Sequence, residues 1–556
     1  MTDDFCAISL MALFSLIYFP DCILYAPHKR YNSYMDDDSS AYISRRIKML
    51  RTVTVENGVI EGIPAADPRV TAFRGIPYAA PAVGENRWRA PQPANNWTGV
   101  LKAYKFGPIS MQRVPGLDPE NIYTNEWNVD PEIPMSEDSL TLNVWTPAKK
   151  VGEKLPVFVW YFGGGLREGN PAEMEFNGER LARRGIVVVT VNYRLNAFGF
   201  FCHPEITAES PEFPGNFGYL DQRFATMWVK RNIDAFGGDP DNITIGGQSA
   251  GGGSVMAQVA SPLNKGLFQK AIVDSGMEQV PYPPGMFGSA LTLEQAEQNG
   301  IQFFEELGVK TLAEARALPA EFVRDKMAES KVRFGVVVDN NFYVGSTNDR
   351  FFREECDILP MMFGHTSDEF PAAPRVNSID ELREYAVKTF GEEDAEEYMS
   401  IVTSKTGSLR ETLHNAAVQH LEFSCRLISK MKAAKGNKVP YWYWVFDPEI
   451  PGWDDPGTFH SSDLWFFFES LANCWRPFEG KHYDLARIMC SCWANFVKNG
   501  DPNGLDANGK PIPKWDPYTE ENPVRMIFGD TAYTENAGPR PVVDFLLRNK
   551  MKNYKF

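Results

Sequence analysis

The chain is short of histidine, cysteine and positive charge, and each shortage narrows what it does. Seven histidines in 556 residues leave few candidates for chemistry that needs an imidazole. The eight cysteines show no framework spacing, which argues against a disulfide-stapled scaffold. Cys490-Ser491-Cys492 reads as helix packing, so no metal and no cofactor is expected. With 56 Lys and Arg against 72 Asp and Glu, the net charge is −16. That balance, with a pI near 5.1, argues against nucleic acid or an anionic membrane surface as partner. No internal repeat and no low-complexity tract is present. Phe5–Phe19 is apolar but too short to span a bilayer comfortably, so no stable membrane span is expected.

Residues 1–50 look foreign to the rest of the chain. Phe5–Phe19 has the length of a signal peptide, yet Thr2-Asp3-Asp4 precedes it where such a signal carries positive charge. It ends in Phe19-Pro20-Asp21-Cys22, neither a small-residue cleavage site nor a convincing lipid-attachment site. The reading is a disordered or only signal-like leader, followed by one domain over 51–550.

What is abundant is the alternation of strand and helix. Asn57-Gly58 lies between two alternating apolar stretches, a hairpin signal. Strands are expected at Leu140–Trp145, Leu155–Tyr161 and Gly185–Val191. The last two are nearly continuous apolar runs, the mark of strands buried on both faces. A helix is expected over Leu220–Ile233, a helix-rich insertion over Leu291–Met327, and a returning strand at Pro360–Gly364. Helices follow over Ser378–Lys405 and Leu409–Lys432, then a strand at Val439–Val445 and a helix at Tyr483–Lys498. This is an α/β chain with a large, mostly parallel sheet.

Between a strand at Asp241–Ile245 and a helix from Ser254 lies Gly247-Gln248-Ser249-Ala250-Gly251, a G-x-S-x-G elbow. Glycines two residues either side let strand and helix approach closely, while the strained turn projects the Ser249 hydroxyl. The helix N-terminus behind it offers free N–H groups to a developing anion. Alone the motif is weak. Gly163-Gly164-Gly165 follows a buried strand directly and bares backbone N–H groups that, with Ala250, would form an oxyanion hole. No G-K-[ST] follows, which argues against a nucleotide cradle.

The base must be a histidine. His28 lies in the leader, and His203, His414, His420 and His482 have no local signature. His365 stands at a strand end and could be an accessory. His460 lies in a loop opening into Trp465-Phe466-Phe467-Phe468, where the order serine, acid, histidine demands it. For the acid, Asp368 and Glu369 follow the same strand, and Glu369 is slightly preferred.

These linked motifs resemble the type-B carboxylesterases of the α/β-hydrolase fold, the family that includes the cholinesterases. The resemblance runs from about Thr52 to Asp544 and rests also on Phe73–Pro81, Glu137–Trp145, Asn192–Leu195, Ala235–Pro240 and Gly500–Gly504. It implies helical insertions forming a gorge or cap, and a microbial carboxylesterase. It places the triad on Ser249, Glu369 and His460, the oxyanion hole on Gly164, Gly165 and Ala250, and a supporting serine on Ser275. Ser110 and Ser139 stand where the family usually carries a disulfide, which favours a reducing, cytoplasmic location; secretion stays open if Phe5–Phe19 is a signal. Gln248 replaces the usual glutamate before the nucleophile, removing a source of attraction for quaternary ammonium. Phe162 and Phe370 replace a frequent histidine and a glycine, and should make the pocket less polar or more crowded.

The expected reaction is acyl transfer through an acyl-enzyme on a small-molecule ester, with activity falling at low pH as His460 protonates. Trp465–Phe468, with Leu166, would line an apolar pocket for uncharged, partly hydrophobic esters, short-chain or aryl. The alternatives are a lipase or a feruloyl-type esterase, and, in another class, a catalytically dead cholinesterase-like adhesion or scaffold protein. Oligomeric state is not readable.

Overall fold

A computed structural model describes residues 49–118, 120–127, 132–277, 281–282 and 290–552. The expected leader lies outside them except for its last two residues. Within the described part, the apolar runs of the sequence lie side by side in an eleven-stranded sheet. Its strands are β1 (Ile63–Pro64), β2 (Thr71–Pro77), β3 (Thr141–Thr146), β4 (Leu155–Tyr161), β5 (Val187–Val191) and β6 (Gly238–Gln248), then β7 (Lys270–Asp274), β8 (Met361–Thr366), β9 (Tyr441–Phe446), β10 (Val524–Phe528) and β11 (Ala532–Asn536). Their spatial order is β11-β10-β9-β8-β7-β6-β4-β5-β3-β2-β1. From β5 across to β10 every pairing is parallel, and the outer pairs are antiparallel.

The alternation along β4 shows why this sheet needs helices on both sides. Val157, Val159 and Tyr161 join one apolar cluster, while Phe158, Trp160 and Phe162 join another. Helices α1 (Phe217–Asn232) and α2 (Ala250–Ala260) cover the first face with Trp228, Val255 and Met256. Helix α3 (Gly480–Asn499) covers the second with Met489 and Trp493. Removing one such buried aromatic to alanine costs about 3–5 kcal/mol.

After β5 the chain returns to the opposite side of β4 to form β6. That reversal opens a crevice beyond the carboxyl ends of β4 and β6, where open α/β sheets bind their ligands. The tri-glycine follows β4 and Ser249 follows β6, so the topology brings both to that crevice. The helix-rich insertion (Leu293–Leu307, Leu312–Arg316 and Ala320–Glu329) leads into residues 330–334, which form part of its wall.

Apart from shifts of a few residues at element ends, three segments differ from the sequence reading. The hairpin pairs Val55 with Gly58, so its tip is Glu56-Asn57, one residue earlier. Gly58 instead leaves room for the Trp97 indole, 2.5 Å from where a Cβ would stand. The region 378–405 is two helices, Ile379–Phe390 and Glu392–Val402, broken at Gly391 with φ 88°. The region 409–432 likewise divides into Leu409–Ala416 and His420–Lys435. No helix among the described residues is long and apolar enough to cross a membrane.

Candidate active site

Ser249 stands between β6 and α2 with φ 56° and ψ −124°, a left-handed conformation that costs a non-glycine residue on the order of 1–3 kcal/mol. The neighbours hold it there. A Cβ on Gly251 would lie 2.1 Å from the Tyr161 carbonyl, and one on Gly247 would lie 2.4 Å from the Gly251 carbonyl. The glycines are therefore required by backbone packed against backbone. The Ser249 amide donates to the Asp274 carbonyl at 2.9 Å, tying the elbow to the end of β7.

Two loops from far along the chain meet the serine. His460 Nε2 lies 2.8 Å from Ser249 Oγ, and His460 Nδ1 lies 2.9 Å from Glu369 Oε2. The carboxylate fixes the tautomer: Nδ1–H donates to Glu369, which leaves the Nε2 lone pair facing the serine hydroxyl. Burial alone would raise the Glu369 carboxyl. The hydrogen bond and charge of His460, aided by Ser275, bring it below the ordinary carboxylate range. A buried anion, an imidazole and a hydroxyl in series can move a proton off the serine.

Asp368 is used elsewhere. Its carboxylate accepts from the Thr458 amide and hydroxyl, so it holds the loop that carries His460. His365 is buried beneath the site, bonded to the Thr366 carbonyl and the Tyr443 hydroxyl, each at 2.7 Å, and burial lowers its pKa. Its charge acts on Glu369 and helps hold that carboxyl down.

The tri-glycine passes over the elbow, and a Cβ on Gly163 would come within 3.2 Å of Ser249 Cβ. Gly164 and Gly165 have φ of 91° and 66°, and open space surrounds the position of a Gly165 Cβ. Ala250 opens α2, so its N–H has no acceptor within the helix. Gln248 Nε2 donates to Ser461 Oγ at 2.8 Å and stands 3.4 Å from His460 Nε2, steadying the histidine loop. Ser275, with φ 47°, donates its hydroxyl to Asp274 at 3.2 Å rather than squarely to Glu369. A cavity of about 760 Å³ opens over Ser249, His460 and the three glycines.

The carboxylesterase family model matches residues 50–540. The chain belongs to the carboxylesterase family. Ester hydrolysis at a serine is accordingly its chemistry. It is 30% identical to a para-nitrobenzyl esterase of Bacillus subtilis over 87% of this chain and 96% of that one. It is 31% identical to a fumonisin B1 esterase of Sphingopyxis macrogoltabida, covering 81% and 82%. A mouse cholinesterase is 29% identical, covering 82% and 80%. Among solved structures, a PNB esterase superposes with a TM-score of 0.70 at 28% identity, covering 90% of this chain and 100% of the other. A Geobacillus stearothermophilus carboxylesterase superposes with a TM-score of 0.67, also at 28% identity, covering 88% and 98%.

Within this carboxylesterase the aromatic expectations need correction. Trp465, Phe466, Phe467 and Phe468 are wholly buried in the second core cluster, where Phe467 packs on Trp160 and Trp493. A four-residue apolar run adjoining a sheet has more area to bury there than in a wet pocket. Leu166 packs partly buried against the core, and Phe162 lies under the glycines, stacked on Tyr193 at 4.3 Å. Neither forms the cavity wall. Phe370 is 41% exposed with its ring 5.2 Å from the His460 ring, so it crowds the histidine from outside. Ser110 and Ser139 are buried in contact, Oγ to Oγ 3.0 Å.

Sequence reading missed two sets of groups. Asp274 and Asp463 are completely buried beside each other behind Glu369. Burial pushes both upward, Asp463 to about 7. The charge of Asp463 adds to the effect at Asp274, and that of Glu369 adds to it at Asp463, so the pair favours keeping a proton among its otherwise unbonded oxygens. The second set is the charged rim of the cavity, with Arg113, Arg167, Lys331 and Arg333. These cations belong to no motif. The only signal was the place of Arg167, two residues beyond Gly165.

Proposed function

We propose that Ser249, His460 and Glu369 act as a catalytic triad hydrolysing carboxylic esters through an acyl-enzyme. His460 Nε2 takes the Ser249 proton as Oγ attacks the ester carbonyl, and Glu369 stabilises the imidazolium. The amides of Gly164, Gly165 and Ala250 receive the oxyanion, each such donor contributing about 2.7–4 kcal/mol in the transition state. His460 then protonates the departing alcohol. It next activates a water that attacks the acyl carbon, releasing the acid and restoring Ser249. The observation carrying this reading is the unbroken hydrogen-bond chain from Glu369 through His460 to Ser249.

Trp127, Phe176 and Phe334 among the lining favour partly hydrophobic esters, uncharged around the scissile bond. The reading that Ser110 and Ser139 stand in for a family disulfide fits a reducing, cytoplasmic compartment. A fluorophosphonate probe tests the nucleophile: it labels the Ser249 peptide, and Ser249→Ala abolishes both label and ester turnover. Turnover that survives in Ser249→Ala rejects the triad.

A further inference from the structure

The cavity mouth reverses the charge of the molecule around it. The chain carries −16 overall, yet four cations from three separate segments meet at this one rim. Arg113 lies on the loop before Ile122, Arg167 follows the tri-glycine, and Lys331 and Arg333 follow the helix Ala320–Glu329. Arg113, Arg167 and Lys331 form no salt bridge with any described residue, although the protein pairs many of its other arginines.

The backbone beneath these side chains is fixed. Gln112 donates to the Gly169 carbonyl at 3.0 Å and accepts from the Gly169 amide at 2.9 Å, so the Arg113 loop is stapled to the Arg167 loop. The Arg167 amide donates to the Gly164 carbonyl at 3.0 Å, and its carbonyl accepts from Asn196 at 3.2 Å. Arg167 is therefore held in register with the glycines that face the scissile group. The Arg333 carbonyl is held by Asn299 at 2.9 Å.

The acids of the same cavity do not cancel these cations. Glu168 is exposed at the same rim. Glu173 and Glu175 are deep and desolvated, and that burial pushes Glu173 to about 7 and Glu175 further upward, toward their neutral forms. Next to the nucleophile itself stands Gln248, which is neutral. An anion entering this mouth meets cations first and few opposing charges afterwards.

Resting on the esterase reading above, the geometry points to a substrate class: esters with a partly hydrophobic body and a carboxylate remote from the scissile bond, the carboxylate held by Arg167 and Arg113 with Lys331 and Arg333 around it. Trp127 and Phe176 accept the body between, while guanidinium groups suit a carboxylate by forming two parallel hydrogen bonds.

The test compares para-nitrophenyl half-esters of adipate and suberate with para-nitrophenyl hexanoate and octanoate, which match them in length. The anionic ester of at least one pair is expected to show a kcat/KM roughly tenfold higher at low ionic strength, the gain of one well-placed ion pair. That ratio falls as salt rises, and falls toward one in Arg167→Gln combined with Arg113→Gln. Binding of the same esters to Ser249→Ala, followed by calorimetry, separates this inference from the mechanism. Salt-sensitive preference for the half-ester in that inactive protein supports the anion site even where the triad assignment fails. Neutral esters favoured at both lengths, or an anionic preference untouched by the double substitution, overturns it.

Discussion

Asp368 accepts two hydrogen bonds from Thr458, one from the amide at 2.8 Å and one from the hydroxyl at 3.1 Å. The bonds join the loop after β8 to the loop that ends in His460, two residues on. The two adjacent carboxylates thus divide the work: Glu369 touches the imidazole, and Asp368 holds the backbone that presents it. Glu369→Gln should lower kcat by as much as ~10⁴-fold, because the amide favours the wrong tautomer. Asp368→Asn should lower it by only about tenfold while weakening the fold by ~1–2 kcal/mol, because the two bonds from Thr458 lose their charge assistance. Steady-state kinetics and thermal melts on the two variants decide between these roles, and equal losses of kcat would reject the division.

The paired carboxyls of Asp274 and Asp463 make stability depend on pH. Both are raised in the folded protein, Asp463 to about 7, whereas unfolded carboxyls ionise near ~4. Between these values the folded protein binds protons that the unfolded chain releases. Raising the pH from ~4 through about 7 therefore costs stability as Asp463 gives up its proton. Asp463→Asn removes one titrating group and supplies an amide donor to Asp274. The variant should gain on the wild type, by on the order of 2 kcal/mol, as pH goes from about 5 to about 8. Urea unfolding at those two values reads the difference, and a gap that shrinks with rising pH refutes the shared proton.

How much was legible in the sequence depends on how local each determinant is. Ser249 could be read because its elbow is built within five residues, and the two flanking glycines are demanded by contacts that any such turn makes. The runs of β4 and β5 announced themselves because both faces of those strands are covered. Spacing alone barely separated Asp368 from Glu369, and the family resemblance made the choice, since Thr458, 90 residues on, takes the Asp368 carboxylate. Trp465–Phe468 misled for a related reason. Hydrophobicity alone does not say whether a ring faces a cavity or Trp160 and Trp493. The rim cations were invisible because three unconnected segments supply them.

Ser110 and Ser139 offer a direct test of the family comparison within this fold. Their hydroxyls lie 3.0 Å apart, and Ser110 also donates to the Tyr193 carbonyl at 2.8 Å. Replacing both with cysteine should allow a disulfide to form. A cross-link closing a loop of this length contributes about 3 kcal/mol, offset in part by ~1 kcal/mol for the lost hydrogen bond. The oxidised S110C/S139C protein should melt a few degrees above the wild type, and the reduced protein below it. Thiol titration with melts in the presence and absence of reductant measures both, and cysteines that stay free under oxidant would show the backbones too far apart.

The glycines around the elbow should differ sharply in what they tolerate, although they stand close in sequence. At Gly251 an added Cβ would lie 2.1 Å from the Tyr161 carbonyl and 2.7 Å from the Phe162 carbonyl, both backbone of the central sheet. Neither can move without displacing β4 or the tri-glycine that follows it. Gly251→Ala should therefore push α2 off the sheet and tilt Ser249 out of reach of His460, with loss of activity and of several kcal/mol of stability. Gly253, two residues further along the helix, has nothing within 4 Å of its added Cβ. There alanine removes backbone freedom from the unfolded chain without meeting anything in the folded one, and should stabilise α2 by ~0.5–1 kcal/mol. Denaturant melts and ester kinetics on the pair read the contrast. If both substitutions behaved alike, the elbow would not be held by the backbone contacts that Gly251 permits.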